Sequence, residues 1–295
     1  MALIKFQDKS IWRSLYEKSK EQYWQPESVD CTSDKNQWLK LGPVIKTKVL
    51  NLLQYAILLD SFQVGNLAEI SGTQTEPMLK ALLSFHALIE SVHSQAYSYW
   101  AETVCTTAER EFLYSETEAS KARLSIYTDL ESKHGSLIAN YFLEGVAFQA
   151  LFRLSDVLKS QGLLPGLSAI LNLIKRDEDT HVVTFQHLIS QSPRDLAQVD
   201  RALTEAAAFE ASLVHSITED ADLSQSVYHA ANVRLRALGL KVPMIADPFE
   251  NIRGINDTTK ASLKQNFFTG NVIYSARDET LDWDYKNWFR TGFLP

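Results

Sequence analysis

Cysteine is nearly missing from this chain: Cys31 and Cys105 are the only two, and they stand far apart in sequence. That excludes a disulfide framework and a cysteine-built metal site. It suits a reducing compartment, with both thiols as inert packing residues. Glycine and proline are scarce as well, at 11 and 8 in 295 residues, which leaves long stretches with no punctuation. No uncharged run is long enough to span a bilayer, and the first twenty residues mix charges with apolar positions, which excludes a signal-peptide core. There is no long basic run either. With a net charge of -7, this argues against nucleic acid or an anionic membrane surface as the main partner. A cytoplasmic globular protein is the expectation.

What is present is material for a core: 45% hydrophobic and 11% aromatic residues. Between the few glycines and prolines, apolar residues recur at i, i+3, i+4 and i+7 rather than alternating, so the chain reads as all-α. The pattern predicts helices over residues 44–70, 76–105, 116–130, 136–161, 166–190, 192–219 and 223–238, with Gly72, Gly135, Gly162 and Pro165 at the joints. Helices approaching thirty residues run roughly 40 Å at 1.5 Å per residue, which is bundle geometry. One helical domain is expected over residues 1–245. A partly mobile tail follows at 246–295, where the periodicity fades and Gly, Asn and Asp mix with many aromatics.

Polar residues intrude on the helical pattern in a few places. In IESVHSQAY, Glu90 and His93 are spaced i, i+3, so they share a helix face and can bind one metal ion. One such pair is weak, because Glu and His fall three apart by chance on many solvated helices. IKRDEDTHVV repeats the spacing with Glu178 and His181, and a second copy on another long helix is much harder to dismiss. Asp60 in YAILLDSFQV and Glu144 in IANYFLEGVAFQALF stand in apolar runs with no Lys or Arg within a turn on the same face. A buried carboxylate needs a metal, a cation or a proton. The alternative, that these two face solvent through a gap in the apolar surface, stays open here, above all for Asp60.

One carboxylate from each of two helices and one Glu-x-x-His pair from each of two others is the ligand set of ferritin-like dinuclear carboxylate proteins, here with Asp in one Glu position. Four carboxylates and a bridging oxide carry six negative charges, enough to neutralise two trivalent ions. Oxygen and imidazole donors without thiolate suit iron or manganese better than zinc.

The sequence resembles the small, radical-generating subunit of class I ribonucleotide reductases over nearly its whole length. LLDSFQ around Asp60, ESVHSQAY around Glu90 and His93, LEGVAF around Glu144 and RDEDTH around Glu178 and His181 are close to that family's motifs. The resemblance implies a ferritin-like bundle whose dinuclear centre is held by Asp60, Glu90, His93, Glu144, Glu178 and His181. Two irons are favoured, with two manganese ions or a mixed pair as alternatives. It implies that O2 reacts at the reduced metals and leaves a stable radical on Tyr97, four residues and about one turn beyond His93. A tyrosine that merely supports the core is the plainer reading of that residue alone.

Phe148, Phe152 and Ile174 are implied as the apolar radical pocket, the first two lying four and eight residues after Glu144 on its helical face. EQYWQPESVDC implies Trp24, linked through Asp177 to His93, as the exit route of the radical. NFFTGNVIY implies Tyr274 as the relay tyrosine near a partner, with Tyr285 as competitor.

The implied activity is that of a ribonucleoside-diphosphate reductase subunit in deoxyribonucleotide synthesis. The implied partners are a large (alpha) catalytic subunit, a second copy of this chain and, if manganese is used, a flavoprotein activator. Two distant cysteines cannot supply the thiol chemistry of nucleotide reduction in that family, so the substrate site is expected on another chain. Two features depart from the common pattern. The interval between His93 and Glu144 is shorter than in the longer family members, which implies a trimmed excursion outside the bundle. The C-terminal DYKNWFRTGFLP carries Trp, Lys and Arg where many relatives end in an acidic, Phe-containing segment. The competing expectations on the same fold are a dimetal oxidase or hydroxylase, disfavoured by Asp60, Tyr97 and the tail tyrosine, and an iron-storage protein, disfavoured by the aromatic tail.

Overall fold

The structure is a computed structural model and describes residues 4, 10–191 and 196–240, together with residues 264–265 and 272–273. Among these residues the helices run α1 Ile11–Glu21, α2 Thr32–Lys40, α3 Pro43–Thr73, α4 Pro77–Val104, α5 Thr107–Leu113, α6 Glu118–His134, α7 Ser136–Phe142, α8 Gln149–Ser160, α9 Pro165–Gln191, α10 Leu196–Thr218 and α11 Ala221–Ala237. A 3-10 turn occupies Pro26–Ser28, and a π-helical segment at Leu143–Ala147 joins α7 to α8. Lys264 pairs with Ile273 and Gln265 with Val272 as two short antiparallel strands. Tyr274 and Tyr285 lie outside the described residues.

Proline opens α3, α4 and α9, where the missing N–H costs nothing because the first turn has no intrahelical acceptor for it. Helices α3 and α4 form the most extensive helix pair, α9 packs on α4, α7 and α8, and α1 and α2 lie across α4 and α9. Helices α10 and α11 pack on each other and close over the π segment, α6 and α8. The middle of α3 is buried on every face, from Leu52 through Ala56 to Leu59 and Asp60, as expected of a helix at the centre of a bundle. That burial closes the question left open for Asp60, which has no exposed surface.

The register of the two Glu-x-x-His helices is tied by one residue outside them. Asp34 on α2 is fully buried; it accepts from the backbone N–H of Gly166 at 2.9 Å and Leu167 at 2.8 Å, and from the Trp100 indole of α4 at 2.9 Å. Its carboxylate therefore caps the positive end of α9 while holding α4. Only glycine fits at position 166, since a Cβ there would meet Cys31 Cα at 2.8 Å.

The long helices fall where the hydrophobic periodicity places them, with α3 and α4 each within a few residues of expectation. The continuous helix expected over 136–161 is instead broken into α7, the π segment and α8. Helices α1, α2 and α5 are additional to the expected set. They are short and largely polar, and their ends depend on caps, as where the Ser10 hydroxyl accepts from Arg13 N–H and Thr106 forms a capping box with Glu109.

Candidate metal centre

Four elements converge in the bundle core: α3 supplies Asp60, α4 Glu90 and His93, the π segment Glu144, and α9 Glu178 and His181. None of the six is more than 2% exposed. Candidate donor atoms of Asp60, Glu90, His93 and Glu178 lie within 4.8 Å of one another, and so do those of Glu90, Glu144, Glu178 and His181. Glu90 and Glu178 belong to both groups. Glu90 turns Oε2 toward His93 Nδ1 at 3.4 Å and Oε1 toward His181 Nδ1 at 2.9 Å. Glu178 does the same with Oε1 at 3.3 Å and Oε2 at 3.0 Å. Two half-sites are thus joined by two carboxylates, each with one oxygen on either side, while Asp60 belongs to the His93 side and Glu144 to the His181 side.

The inward-facing atoms have no hydrogen-bond partners. Both oxygens of Asp60, Glu90 and Glu178, Oε2 of Glu144 and Nδ1 of both histidines are buried and unpaired. So many orphaned acceptors in a dry core call for cations, and an oxygen-rich donor set with one imidazole per side fits a pair of transition-metal ions.

The electrostatics of the metal-free cluster agree. Burial pushes the Asp60 and Glu144 carboxyls well above the ordinary carboxylate range, with neighbouring carboxylates adding to the effect. For His93 and His181 burial alone would lower the pKa. The carboxylates of Asp177, Glu178 and Glu90 close around His93 reverse this there, and the Glu178 charge with the nearby Glu144 and Glu90 carboxylates does so for His181, so both lie well above the ordinary imidazole value. Glu178 is also subject to a burial penalty, but the two histidines override it and hold its carboxyl below the usual range. Protons here occupy the place of metal cations.

The imidazole of His93 is held from behind. Asp177 Oδ2 accepts from the Trp24 indole N–H at 2.8 Å and lies 3.4 Å from His93 Nε2. Its other oxygen accepts from Arg176 Nη2 at 2.9 Å. A carboxylate paired to arginine only accepts, so His93 holds a proton on Nε2, and the proton that its raised pKa keeps on Nδ1 is the one a metal ion would displace. His181 is backed differently: His86 lies against it with ring centroids 4.1 Å apart, and His86 Nε2 faces Ser19 Oγ at 3.4 Å. Burial and then the His181 charge hold His86 well below the ordinary imidazole pKa, so it is a neutral ring.

The π segment sets Glu144. A π turn disturbs the i to i-4 ladder, and two arginines bind its carbonyls: Arg234 Nε donates to Gly145 O at 3.2 Å and Arg123 Nη2 to Ala147 O. Arg123 is itself buried, with its charge met by Glu210 at 3.0 Å, and Glu210 also accepts from Tyr55 at 2.7 Å. This break corrects the expectation that Phe148 and Phe152 follow Glu144 along one α-helical face, since the wider turn intervenes.

Tyr97 is 1% exposed and its hydroxyl has no hydrogen-bond partner. Burial first, and then the charges of Asp60, Glu178 and Glu90, raise its pKa well above that of a free phenol. Phe148, Phe152 and Ile174 are all buried, and the two phenylalanine rings sit 6.1 Å apart.

Sequence reasoning missed Gln63, His86, Arg123, Arg176 and Arg234. His86 left a local signal as a histidine in an apolar run one turn before Glu90, while Gln63 and Arg176 stand inside the LLDSFQ and RDEDTH stretches without having been assigned a role. Arg123 and Arg234 reach the site from α6 and α11, and nothing in their own segments marks them.

Six carboxylate and imidazole donors, converging from the core of an all-helical bundle on two joined half-sites, define a ferritin-like dinuclear carboxylate protein. Residues 1–243 match the family described as ribonucleotide reductase, small chain, and the chain belongs to that family. It is 30% identical over 197 residues to the ribonucleoside-diphosphate reductase subunit beta of Treponema pallidum, a match covering 62% of this chain and 56% of that protein. It is 31% identical over 214 residues to the small chain of vaccinia virus, covering 68% and 66% respectively. The chain thus spans between half and two thirds of these relatives. The fold is similar to that of dimanganese(II)-NrdF from Streptococcus sanguinis, with a TM-score of 0.74 at 23% identity over 84% of this chain and 96% of that one. Among the described residues, no helix is long and apolar enough to cross a membrane.

Proposed function

We propose that this chain is the radical-generating subunit of a class I ribonucleoside-diphosphate reductase. In this reading it binds two metal ions, stores an oxidising equivalent on Tyr97 and passes it to a large catalytic subunit that makes deoxyribonucleotides. The observation that carries the proposal is the pair of half-sites sharing Glu90 and Glu178, with the buried, unpartnered hydroxyl of Tyr97 close enough to Asp60, Glu90 and Glu178 to feel their charges. The metal pair, when bound, supplies the electrons that reduce O2 and the oxidising power needed at the tyrosine.

The protein's own residues do the rest. Glu90 and Glu178, common to both half-sites, would hold the two ions together, with Asp60 and His93 on one side and Glu144 and His181 on the other. Tyr97 starts as the neutral phenol, because its raised pKa keeps the proton on oxygen at neutral pH. The electron and that proton therefore leave together to form a neutral radical. Phe148, Phe152 and Ile174 keep water and reductants from it, an assignment supported by their burial. Trp24, Asp177 and His93 form the exit route, supported by the 2.8 Å indole-carboxylate hydrogen bond. Tyr274 takes over near the large subunit, and a second copy of this chain completes the working dimer.

Iron is the favoured metal. The dimanganese relative keeps manganese, with a flavoprotein activator, as the second choice. The test is reconstitution: the metal-loaded chain mixed with a large subunit is expected to reduce ribonucleoside diphosphates, and neither component alone to do so. Turnover by the metal-loaded chain alone would contradict the proposal. Removal of residues 246–295 is expected to abolish turnover without affecting metal binding.

A further inference from the structure

Among the four inward-facing carboxylates of the cluster, Glu144 alone has one oxygen tied off by a side-chain hydrogen bond. Its Oε1 accepts from Gln63 Nε2, whereas Oε2 is unpaired and lies 3.6 Å from His181 Nδ1. Gln63 sits on α3, one turn beyond Asp60, and has no exposed surface. A glutamine can point either its nitrogen or its oxygen at a neighbour, so what decides its direction matters.

The decision is made at a backbone carbonyl. Asn140 Nδ2 donates to Ser136 O at 2.8 Å, and a carbonyl can only accept. The same nitrogen donates to Tyr127 Oη at 3.0 Å. Asn140 must therefore present its oxygen on the other side, where it accepts from Gln63 Nε2 at 3.0 Å and from Asn66 Nδ2 at 2.8 Å. Asn66 Nδ2 also donates to Gln63 Oε1. With its oxygen committed to Asn66, Gln63 has only its nitrogen for Glu144. Each orientation follows from the previous one, and the sequence starts at a group whose polarity cannot change.

We infer that Gln63 is a positioning residue that makes Glu144 a one-oxygen ligand: the amide chain from Ser136 O through Asn140 holds Oε1 away and leaves Oε2 alone for the metal. This rests on the dinuclear centre proposed above and concerns how one of its ligands is oriented. The π segment fixes where the Glu144 backbone stands, and Gln63 fixes how its carboxylate is turned. A fixed, singly engaged carboxylate keeps the rest of the His181-side ion's coordination free for other ligands. The cost of losing such an outer partner is on the order of tenfold or more in metal affinity.

The experiment titrates metal-free wild type, Gln63→Met and Asn66→Ala with Mn(II). Free metal is followed by EPR, and the Glu144 carboxylate stretches by infrared difference spectra of 13C-glutamate protein, assigned by their loss in Glu144→Gln. Wild type is expected to bind two ions per chain, with the wide separation of antisymmetric and symmetric stretches that marks single-oxygen ligation. Gln63→Met is expected to narrow that separation and weaken one of the two ions about tenfold. Asn66 is only half-buried, so its alanine variant leaves the core intact; it should shift both readouts in the same direction by less, which keeps the test decisive should Gln63→Met fold poorly. Stretches and affinities equal to wild type in the folded variants would overturn the role of Gln63 while leaving the dinuclear site standing. A wild type that binds no pair of ions would overturn the dinuclear site itself, and the role of Gln63 with it.

Discussion

Trp24 and Asp177 stand 153 residues apart in sequence and are joined by a buried 2.8 Å hydrogen bond. The same Asp177 oxygen faces the proton of His93, so an indole near the N-terminus is two hydrogen bonds from the cluster. Trp24→Phe keeps an aromatic ring in place of the indole and removes the N–H. It is expected to leave metal loading and the tyrosyl signal intact and to abolish turnover with the large subunit. Loss of the signal in this variant would mean that Trp24 serves formation of the radical rather than its export.

Asp177→Ala removes the acceptor that fixes the His93 proton on Nε2. Metal affinity is expected to fall by about 10- to 100-fold, as for other groups that orient a ligating histidine. Equilibrium titration checks this, and affinity equal to wild type would remove Asp177 from the support of the site.

Arg123→Met strips a buried cation from Glu210 and a donor from Ala147 O at the π segment. An uncompensated buried charge costs about 3 to 5 kcal/mol, to be read from denaturant unfolding. The double variant Arg123→Met, Glu210→Gln is expected to recover part of that loss, because the stranded charge is gone while the orphaned carbonyl is not.

Metal uptake should release protons. Asp60, Glu144, His93 and His181 all have raised pKa values in the metal-free protein, so each keeps its proton to higher pH than the free group does, and cations must displace those protons. The sign is fixed: displaced protons make binding stronger as pH rises and weaker as it falls. Titration of metal into weakly buffered protein with a pH indicator measures it, and pH-independent affinity would contradict the crowding of these groups.

Burial raises both thiols to about 12. At pH 8 only about one in ten thousand of each is thiolate, so alkylation of the folded protein is expected to be negligible and to appear on denaturation. Rapid labelling of native Cys31 or Cys105 would show that its surroundings open.

The contrast between Glu178 and Glu144 shows what could be read from the sequence. Glu178 and His181 announce themselves by a spacing that one α-helix converts directly into a shared face, and the same holds for Glu90 and His93. Asp60 and Glu144 could be singled out only as carboxylates in apolar runs, and their convergence depends on how α3 and the π segment approach α4 and α9. The π segment left no local signal, because the groups that bind its carbonyls, Arg123 and Arg234, arrive from distant helices. The direction of the Gln63 amide was further out of reach, since it follows from a backbone carbonyl at Ser136 that becomes a neighbour only in the folded protein.

Everything proposed about activity depends on Tyr97 holding the oxidising equivalent. The direct measurement is EPR spectroscopy, with metal analysis, on protein reconstituted with iron and O2 or with manganese and its oxidant, comparing wild type with Tyr97→Phe. Wild type is expected to give a stable tyrosyl signal with two metal ions per chain. Tyr97→Phe should bind the same two ions and give no such signal. An unchanged tyrosyl signal in Tyr97→Phe would contradict the assignment.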